Sequence, residues 1–298
     1  MKAIDIVILT EDRYVNPTEI NEYNKNVLLE DQLVLDALRQ EGLHAVRKSW
    51  SDPDFDWSST KYIIFRTTWD YFDRYDEFRK WLTEVSTKTT LLNSAKIINW
   101  NIDKHYLTDL KAKGIHICET HFIEQGTATT LHDLHQQLGW QKTVLKPCIS
   151  GAARHTYKLD ASNIEQHETI FQELISEEAM MLQPFQENII TKGEYSFVVI
   201  NGEYSHAVLK IAKPGDFRVQ DDFGGTVHIH NATNAQITFA ENAVKACIEQ
   251  PMYARVDVIV DNDDKLAISE LELIEPELWF RHHSEAATKL AKAIKKLN

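Results

Sequence analysis

The apolar residues in the first third of the chain follow two periods, one typical of strands and one typical of helices. Short apolar runs predict buried strands, and apolar residues three and four positions apart predict helices. The predicted strands are residues 4–9, 44–46, 62–65 and 91–93, and the predicted helices are residues 26–39 and 78–85. Gly42 stands where the first helix should end. This alternation predicts a mostly parallel sheet in a three-layer α/β arrangement.

The remainder of the chain has a different pattern, with a small α+β unit followed by long paired strands. The predicted elements are a helix from residue 99, strand 117–123, helix 130–138, strand 143–146, helix 164–175 and strand 180–183. Two hairpins follow, with strands 195–200 and 203–211 around Asn201-Gly202 and strands 253–260 and 265–273 around residues 261–264. These changes of pattern divide the chain into three parts, residues 1–95, 96–182 and 183–298.

Charge and cysteine content exclude several classes of function. The 298 residues carry a formal net charge of -13, which disfavours nucleic acid and anionic membranes as partners. The three cysteines form no Cys-x-x-Cys pair, so neither a disulfide framework nor a zinc site is indicated. Residues 1–14 fit a first strand better than a signal peptide, and no apolar stretch is long enough to span a bilayer. We therefore expect a cytoplasmic protein.

A phosphate-binding segment is indicated at residues 144–154, Val-Leu-Lys-Pro-Cys-Ile-Ser-Gly-Ala-Ala-Arg. The chain has neither a P-loop nor the glycine-rich dinucleotide motif, so phosphate binding needs another device. A predicted strand places Lys146 at its end, and the small residues Ser150, Gly151 and Ala152 follow in a loop. The N–H groups of such a loop can approach phosphate closely. The alternative is that Lys146 is an ordinary solvated residue at a strand end.

The hairpin at residues 253–273 concentrates acidic residues on one face. A turn centred between residues 262 and 263 gives two pairs, Asp257 opposite Ile268 and Arg255 opposite Glu270, with Glu272 one step further along the same face. The other face is apolar. One side of the hairpin therefore packs on a core, and the other presents three carboxylates around an arginine.

Such a cluster of carboxylates implies a compensating cation, because neighbouring like charges raise one another's pKa. Oxygen ligands suit Mg²⁺, which proteins hold through carboxylates together with nucleotide phosphates. We therefore predict that Asp257, Glu270 and Glu272 are ligands of Mg²⁺. The alternative is an exposed acidic sheet face in which Arg255 forms an ordinary ion pair. A register shift of one residue would separate Asp257 from Glu270 and remove the site.

In this order the motifs resemble those of the ATP-grasp superfamily, over roughly the last two thirds of the chain. The resemblance implies these sites: phosphate contacts at Lys104 and Lys146; a mobile loop at residues 150–154 with Ser150 and Gly151; an adenine-binding hinge at Gln183, Pro184 and Phe185; a ribose-binding acid at Glu194; Arg218 and Gly224-Gly225 near the terminal phosphate; metal ligands at Asp257, Glu270 and Glu272; and Arg255 beside the acyl phosphate. The third metal position often carries asparagine in this superfamily, so Glu272 is a departure that affects the number and affinity of metal ions.

The resemblance also implies a fold, a reaction and cofactors. The fold is α/β and α+β, with an N-terminal Rossmann-like domain (residues 1–95) and two α+β subdomains (residues 96–182 and 183–298) that hold ATP between them. The reaction joins a small-molecule carboxylate to an amine through an acyl phosphate and releases ADP and phosphate, with ATP and one or two Mg²⁺ ions as cofactors. A homodimer is compatible with the resemblance. Two other functions stay open, a small-molecule kinase and a nucleotide-binding regulatory protein without turnover.

A substrate pocket is predicted at residues 66–71, Arg-Thr-Thr-Trp-Asp-Tyr, because ligands of open α/β sheets bind beyond the carboxyl ends of strands. Arg66 is suited to a substrate carboxylate, and Thr68 and Asp70 are suited to an amino or hydroxyl group. Tyr71 would form a wall of the pocket. The alternative is that Trp69 and Tyr71 belong to the core and that Arg66 pairs with a nearby acid.

This segment and residues 270–280, Glu-Leu-Glu-Leu-Ile-Glu-Pro-Glu-Leu-Trp-Phe, resemble one branch of the superfamily. That branch contains bacterial glutathione synthetase, the RimK-type ligases and the cyclo-ligase of cycloserine biosynthesis. The resemblance implies a small amino acid, a peptide or a derivative of one as substrate, with Glu275 lining the pocket. Outside this set, Cys148 has no base nearby in sequence and is predicted to be a buried structural thiol.

Overall fold

The computed structural model describes residues 2–151, 153–219 and 224–297, so Ala152 of the predicted phosphate loop lies outside the described residues. The first part contains the strands β1 (Ile4–Thr10), β2 (Ala45–Ser49), β3 (Thr60–Thr67) and β4 (Thr90–Leu92) and the helices α1 (Asp12–Val15), α2 (Glu22–Gln40) and α3 (Tyr75–Val85). The strands form a parallel sheet in the order β2-β1-β3-β4. Gly42 has a φ of 78° just beyond α2, where the sequence predicts the helix end.

The second part is built on an antiparallel sheet. Its elements are α4 (Ala95–Asn101), α5 (Tyr106–Ala112), β5 (His121–Ile123), α6 (Leu131–Leu138), β6 (Lys142–Pro147), β7 (Tyr157–Asp160), α7 (Ile164–Glu177) and β8 (Met180–Pro184). The strand order is β5-β8-β6-β7. The strand predicted at residues 117–123 is shorter in the structure, because Ile117 forms an isolated bridge with Ile268 instead of pairing within this sheet.

The third part is a larger antiparallel sheet. Its elements are α8 (Asn188–Lys192), β9 (Glu194–Ile200), β10 (Glu203–Ile211), β11 (Thr226–His230), α9 (Asn234–Lys245), β12 (Tyr253–Val260), β13 (Leu266–Glu272) and α10 (Glu285–Lys295). The strand order is β11-β10-β9-β12-β13. Both predicted hairpins are therefore present. They join into one sheet because β9 of the first hairpin pairs with β12 of the second.

Two hydrophobic clusters connect these parts and decide which strand faces stay polar. The first joins the two ends of the chain, since α10 packs against α2 and residues such as Ile8, Val198 and Leu290 share one core. The second contains the apolar face of β12 and β13, including Val256 and Leu271. Because these faces are taken up by the cores, the opposite face of β12 and β13 is free to carry the acidic residues.

The observed architecture confirms the predicted class, a parallel α/β part followed by α+β parts. The described helices begin with side-chain caps at several positions, for example Ser94 before α4 and the capping box of Thr233 and Gln236 before α9. Among the described residues, no helix combines the length and the apolar character needed to cross a membrane.

Candidate active site

The three sheets surround a cavity of about 920 Å³. It is lined from the end of β1 and the loop after β3, from β6 and β8, and from β9, β10, β12 and β13. Most of the predicted site residues line it; among the described residues, the exceptions are Arg66, Thr68 and the Gly224-Gly225 pair. The cavity thus brings together groups that lie far apart in the sequence.

The acidic strands β12 and β13 pair in a different register from the predicted one. Asp257 lies opposite Glu270, and Arg255 lies opposite Glu272. The predictions that Asp257 faces Ile268 and that Arg255 faces Glu270 are therefore wrong in register. The four charged residues nevertheless share one strand face, as the sequence predicts, because directly opposed residues point to the same side of a sheet.

The difference has two parts: the turn is centred on Asp263, since Val260 pairs with Leu266, and a β-bulge follows at Ser269. Near the turn Val258 pairs with Ile268, whereas further on Asp257 pairs with Glu270, so Ser269 is the extra residue. If the register near the turn continued unchanged, Ser269 would face Asp257, and Glu270 would lie on the apolar side. The bulge therefore brings Glu270 to the same side as Asp257.

Basic side chains of the protein balance the acidic cluster. Arg255 Nη2 donates to Asp257 Oδ2 at 2.8 Å and also to Glu272. Lys104 Nζ lies 3.1 Å from Glu270 Oε1. Burial disfavours the charged form of Asp257, but Arg255, Lys210 and the hydroxyl of Ser196 together outweigh burial and lower the pKa of Asp257 to about 2. Burial raises the pKa of Glu272 above its ordinary value in spite of Arg255.

Lys210 on β10 is a site residue that sequence analysis missed. Its side chain is 3% exposed, and its Nζ lies 2.6 Å from Glu194 Oε2 and 3.4 Å from Asp257 Oδ1. Burial disfavours the charged form, but Asp257 and Glu194 raise the pKa of Lys210. The signal in the sequence is a single charged residue inside the apolar run Ala-Val-Leu-Lys-Ile, because a buried lysine requires acidic partners.

Two serine hydroxyls orient the carboxylates of this cluster. Ser196 on β9 is fully buried and donates to Asp257 Oδ1. Ser269, the bulge residue, donates to Glu194 Oε1 at 2.6 Å. Each serine thereby fixes the direction of an acid that also contacts Lys210.

The two predicted phosphate lysines, Lys104 and Lys146, reach the cavity from different elements. Lys104 precedes α5, and its Nζ donates to the backbone carbonyl of Ser150 at 2.7 Å. Lys146 lies on β6, and burial lowers its pKa. Both ammonium groups therefore line the same wall as the loop that follows β6.

The loop at residues 150–154 is tethered in the structure, whereas the resemblance implies a mobile segment. Besides the contact from Lys104, Arg154 forms a two-point ion pair with Glu178 at 2.8 and 3.0 Å. At Gly151 a Cβ would lie 2.7 Å from Phe72 Cε1, so only glycine allows the loop to approach the N-terminal part this closely.

The predicted adenine hinge, at the end of β8, is only partly available in the structure. Gln183 donates from Nε2 to Thr120 Oγ1 at 2.8 Å, and Pro184 lines the cavity. Phe185 presents its ring to the cavity wall, but its backbone N–H donates to Lys142 and its carbonyl accepts from Asn262. The backbone N–H and carbonyl of Phe185 thus have protein partners, whereas its ring lies on the cavity wall.

Arg218 lines the cavity from the segment after β10. Its guanidinium pairs with Asp216 at 2.8 Å, and hydrogen bonds from Arg218 lower the pKa of Asp216 well below its usual range. Gly224 has a φ of 84°, and residues 220–223 between it and Arg218 lie outside the described part of the chain.

The predicted substrate residues Asp70, Tyr71 and Glu275 lie at the end of the cavity formed by the N-terminal part. The Asp70 carboxylate is engaged by Trp50 Nε1 at 2.7 Å and by Arg74 Nη1 at 2.8 Å. The Tyr71 hydroxyl is hydrogen-bonded to Glu275, and burial raises the pKa of Glu275 to about 8.

The predictions for Arg66 and Thr68 are not supported, since both side chains are buried outside the cavity wall. Arg66 is 1% exposed, donates from Nη1 to the Pro276 carbonyl at 2.9 Å, and lies 3.8 Å from Glu30. Thr68 is fully buried. Arg66 therefore matches the alternative stated above, an arginine paired with a nearby acid. Its side chain lies between Glu30 of α2 and the backbone of Pro276 near the other end of the chain.

Residues 274–281, here called the strap, connect β13 to the N-terminal part and line one side of the cavity. Each backbone carbonyl from Glu275 to Leu278 accepts a side-chain hydrogen bond, and the donors in order are Trp69 (3.0 Å), Arg66 (2.9 Å), Arg255 (3.4 Å) and His206 (2.9 Å). At the far end, Glu30 of α2 accepts from the backbone N–H groups of Phe280 and Arg281 at 2.9 and 2.8 Å.

The residues of the acidic face fit a divalent metal. Asp257, Glu270 and Glu272 offer carboxylate oxygens only, which is the donor set that Mg²⁺ prefers. Cys148, by contrast, is 1% exposed, and burial raises the pKa of its thiol to about 12, in agreement with the predicted structural role.

Comparison with known families divides the chain once, after the parallel sheet of β1 to β4. Residues 6–93 match the family described as the N-terminal domain of D-cycloserine synthetase DcsG. Residues 108–274 match the family described as the ATP-grasp domain of prokaryotic glutathione synthetase. A curated relative, the cycloserine biosynthesis protein DcsG of Streptomyces lavendulae, is 28% identical over 281 residues, which cover 88% of this chain and 91% of the relative.

Solved structures with the same fold include D-cycloserine synthetase DcsG, with a TM-score of 0.84 and 25% identity over 98% of this chain and 99% of that one. The ATP-grasp ligase PsnB with its minimal precursor has a TM-score of 0.67 and 17% identity over 99% and 100% of the two chains. D-alanine–D-alanine ligase from Bacillus anthracis with ATP has a TM-score of 0.64 and 12% identity over 99% and 97%. The last two likenesses concern the fold alone.

These matches agree with the geometry of the cavity. The family whose ATP-grasp domain matches residues 108–274 covers the strands that carry the acidic face, the buried lysines and the hinge. ATP and Mg²⁺ are the usual cofactors of this family, and the acidic face suits the metal. The chain belongs to the prokaryotic glutathione synthetase ATP-grasp family and is an ATP-dependent ligase.

Proposed function

We propose that this ligase joins a carboxylate to an amine through an acyl phosphate, and that its substrate is a small amino acid, a peptide or a derivative of one. The main support is the charge layout of the cavity. Lys104, Lys146 and Lys210 line the same cavity as the hinge and the acidic face, and Glu275 lines it as well. A nucleotide and a small acid can therefore meet in one enclosed space.

The predicted residues that line the cavity, together with Lys210, each have a role in this proposal. Adenine contacts Gln183, Pro184 and Phe185; the ribose contacts Glu194; the phosphates contact Lys104, Lys146, Lys210, Arg218, Ser150 and Gly151; Mg²⁺ is held by Asp257, Glu270 and Glu272; and the substrate contacts Asp70, Tyr71 and Glu275. Residues 96–182 and 183–298 hold the nucleotide between them, and residues 1–95 contribute to the substrate pocket.

The chemistry has two steps. A carboxylate oxygen of the substrate attacks the γ-phosphorus of ATP, the bond to the β-phosphate oxygen breaks, and ADP leaves. The amine nitrogen then attacks the acyl carbon, phosphate leaves, and the nitrogen loses a proton. Bound Mg²⁺ neutralises charge on the phosphates. Arg255 lies among the metal ligands, where its guanidinium stabilises negative charge on the acyl phosphate and on the tetrahedral species.

The names of similar proteins support the substrate class. They include a D-cycloserine synthetase, a ligase that acts on a peptide precursor, and a D-alanine–D-alanine ligase. Each handles an amino acid, a peptide or a compound derived from one. We propose the same class for this chain, and we propose a homodimer as its assembly.

The acyl phosphate is tested by measuring ADP release with a panel of carboxylates, with and without hydroxylamine. The proposal requires a hydroxamate of the carboxylate that stimulates ADP release, since hydroxylamine captures acyl phosphates. ADP without a hydroxamate would point to the kinase, and no ADP with any acid would point to a binding protein; either result contradicts the proposal.

Lys146→Ala tests the phosphate wall. We expect it to weaken ATP binding and lower kcat/KM by about tenfold or more, because a charged hydrogen bond to phosphate is lost. Lys142→Ala is the matched control on the same strand, since Lys142 is half exposed and pairs with Glu187 at the surface. Equal ATP affinity in the two variants, both folded, would remove Lys146 from the site.

A further inference from the structure

A group of metal-ligating side chains lies outside the cavity, where the start of α5 meets the end of β6. Asp103 and His105 stand just before α5, and Cys148 follows β6. The carboxylate, the imidazole and the thiol of these residues offer ligand atoms that all lie within 4.8 Å of one another. None of the three residues lines the cavity, so the group is separate from the acidic face. Sequence spacing does not reveal it, because only the fold brings Cys148 to the other two.

The imidazole of His105 is oriented in the way that is usual for a metal ligand. Its Nδ1 lies 2.5 Å from Asp103 Oδ1, and its Nε2 lies 3.1 Å from Oε1 of Glu124, which follows β5. The ring stacks on Phe122, with the two ring centroids 4.1 Å apart. A carboxylate on one ring nitrogen fixes the tautomer that leaves the other nitrogen free for a metal. With Glu124 on Nε2, Nδ1 is the nitrogen available beside Asp103.

These contacts also describe an ordinary imidazolium between two acids. Burial opposes the charge on His105, but hydrogen bonds to Asp103 and Glu124 raise its pKa. An ion pair of this kind needs no metal and no cysteine. The hydrogen-bonded network alone is therefore not evidence of a site, and the thiol has to decide.

The Cys148 thiol is the part of the group that such a network does not explain. Cys148 is 1% exposed, and its Sγ makes no hydrogen bond to any atom of the described chain. Cys247, also buried, differs in that its Sγ donates to the Ala243 carbonyl at 3.7 Å. Burial raises the pKa of the Cys148 thiol to about 12, so the free thiol keeps its proton. A bound metal ion deprotonates a coordinating thiol outright, so this raised pKa does not prevent coordination.

The donor set determines which cations fit. Thiolate and imidazole ligands favour Zn²⁺ and similar ions, whereas Mg²⁺ takes oxygen ligands. Three protein ligands leave the fourth position of a tetrahedron for water. The side chains of His105 and Asp103 are 35% and 39% exposed, so an ion can enter from the solvent and reach the buried thiol between them.

We propose that Asp103, His105 and Cys148 bind a thiophilic divalent cation of the Zn²⁺ type, with Glu124 holding the imidazole in place. The thiol proton passes to the solvent when the ion binds. This second metal site does not depend on the proposed function.

The site lies directly behind one of the lysines of the cavity. Lys104 stands between two of the metal ligands in sequence, and its backbone N–H donates to the Cys148 carbonyl at 3.0 Å. Its side chain leaves on the cavity side, where Nζ contacts Ser150 and Glu270. A metal that joins the segment before α5 to Cys148 therefore fixes the backbone that carries this lysine.

Co²⁺ is the probe for the site, because a thiolate ligand gives Co²⁺ a near-ultraviolet charge-transfer absorption that carboxylate ligands do not give. The full chain, reduced and freed of metal by a chelator that is then removed, is titrated with Co²⁺ in excess Mg²⁺, which occupies the acidic face. We expect the absorption to saturate at about one Co²⁺ per chain and to disappear when Zn²⁺ is added, since Zn²⁺ competes for the same ligands.

Cys148→Ala should abolish this absorption, and Cys247→Ala, the matched control at a buried thiol without ligands around it, should retain it. We expect His105→Gln and Asp103→Asn each to raise the Kd for Co²⁺ by about tenfold or more, because a ligand is lost. Both side chains are partly exposed, so these variants test the site even if Cys148→Ala does not fold. Glu124→Gln should raise the Kd by about tenfold through the imidazole.

Thermal unfolding gives a second measurement that involves neither ATP nor a carboxylate substrate. In excess Mg²⁺, Zn²⁺ should raise the Tm of the unaltered protein and of Cys247→Ala by about 3 °C or more and leave Cys148→Ala unchanged. The proposal is overturned if the unaltered protein shows no thiolate absorption with Co²⁺, or if Cys148→Ala shows as much of it. Unchanged Kd values in both His105→Gln and Asp103→Asn, or equal Tm shifts in the two cysteine variants, likewise remove the site.

Discussion

Lys210 keeps its charge inside the protein because two carboxylates face it. Its ammonium lies between Glu194 and Asp257, and both acids depend on it for compensation. Removing one partner of a buried ion pair leaves the other charge buried without compensation. The resulting loss of stability is larger than the net stability that the pair contributes in the intact protein. The residue is therefore important for stability, in addition to the phosphate contact proposed for it.

We expect Lys210→Met to lower the free energy of unfolding by about 3 kcal/mol, because two acids lose a cation and the apolar side chain restores only the packing. Urea titration measures the change. The matched control is Lys142→Met, whose half-exposed pair with Glu187 should contribute less than about 1 kcal/mol. Similar losses in the two variants would contradict the compensating role of Lys210.

Glu275 gives the protein a pH dependence of known sign. Burial raises its pKa to about 8 in the folded state, above its ordinary value. The folded protein therefore holds this proton more tightly than the unfolded chain, and the associated stability, fully present at acidic pH, is lost as the pH rises through 8.

We expect the unaltered protein to lose more Tm between pH 6 and pH 9 than Glu275→Gln does, because the amide has no proton to release. Thermal unfolding at both pH values, in buffers of equal ionic strength, measures this difference. Other groups titrate equally in both proteins, so the comparison isolates Glu275. A parallel decline in the two proteins would refute the raised pKa.

At the residue scale, the sequence predicts which charged residues are candidates for a site better than it predicts where their side chains point. Asp257, Glu270 and Lys146 stand out in sequence because charged residues interrupt apolar strands at regular spacing. Arg66 and Lys210 are charged residues of the same kind. Which of them faces the cavity and which lies in the joint between chain ends depends on packing between distant segments, and that information is absent from local periodicity.

At the scale of elements, the hairpin of β12 and β13 shows that a single extra residue decides whether Glu270 lies on the same face as Asp257. Its strands and its acidic face were predictable from alternation. The bulge at Ser269 was not, because a bulge is defined by the partner strand and has no fixed residue signature. Sequence analysis also assigned no helix to α10, although Ala287, Leu290 and Ile294 follow helical spacing there.

Gly193 fixes the start of β9 and so the position of Glu194. Its φ is 70°, and a Cβ at this position would collide with the backbone carbonyl of Lys210. We expect Gly193→Ala to destabilise the protein by about 2 kcal/mol more than Gly126→Ala, which measures the left-handed backbone alone. Gly126 has a φ of 75° with no atom within 4 Å of the added Cβ.

Denaturant midpoints of the two glycine variants provide this comparison. Both residues have nearly the same φ, so the difference reports the collision with the β10 backbone together with the ψ of -164° at Gly193, which disfavours a side chain by itself. Equal destabilisation would mean that β9 and β10 separate without cost at this point. In that case the placement of Glu194 next to Lys210 would have another origin.

At the scale of the whole molecule, the two ends of the chain are joined beside the cavity. Glu30 of α2 holds the end of the strap through two backbone N–H groups, and Arg66 lies between Glu30 and Pro276. The packing of α10 on α2 reinforces this joint. No segment-by-segment prediction finds it, because its partners are separated by most of the chain.

We expect Glu30→Gln to cost about 2 kcal/mol of stability, because the amide oxygen satisfies one N–H group and Arg66 loses its counter-charge. The KM for the substrate should rise while the ATP affinity changes little, since the strap carries Glu275. Steady-state kinetics and urea titration measure both. Glu22→Gln, on the exposed side of α2, should change neither. A loss of ATP affinity without a change of substrate KM would contradict this coupling.

The anchoring of the strap also bears on how specificity can change during evolution. Its anchors at residues 275–278 are backbone carbonyls, which are present whatever side chain a position carries. Substitutions at residues 275 and 277 therefore leave the anchors themselves in place. Single substitutions can therefore change the side chains that line the cavity while the backbone path of the strap stays the same. Related enzymes with different substrates can share this architecture.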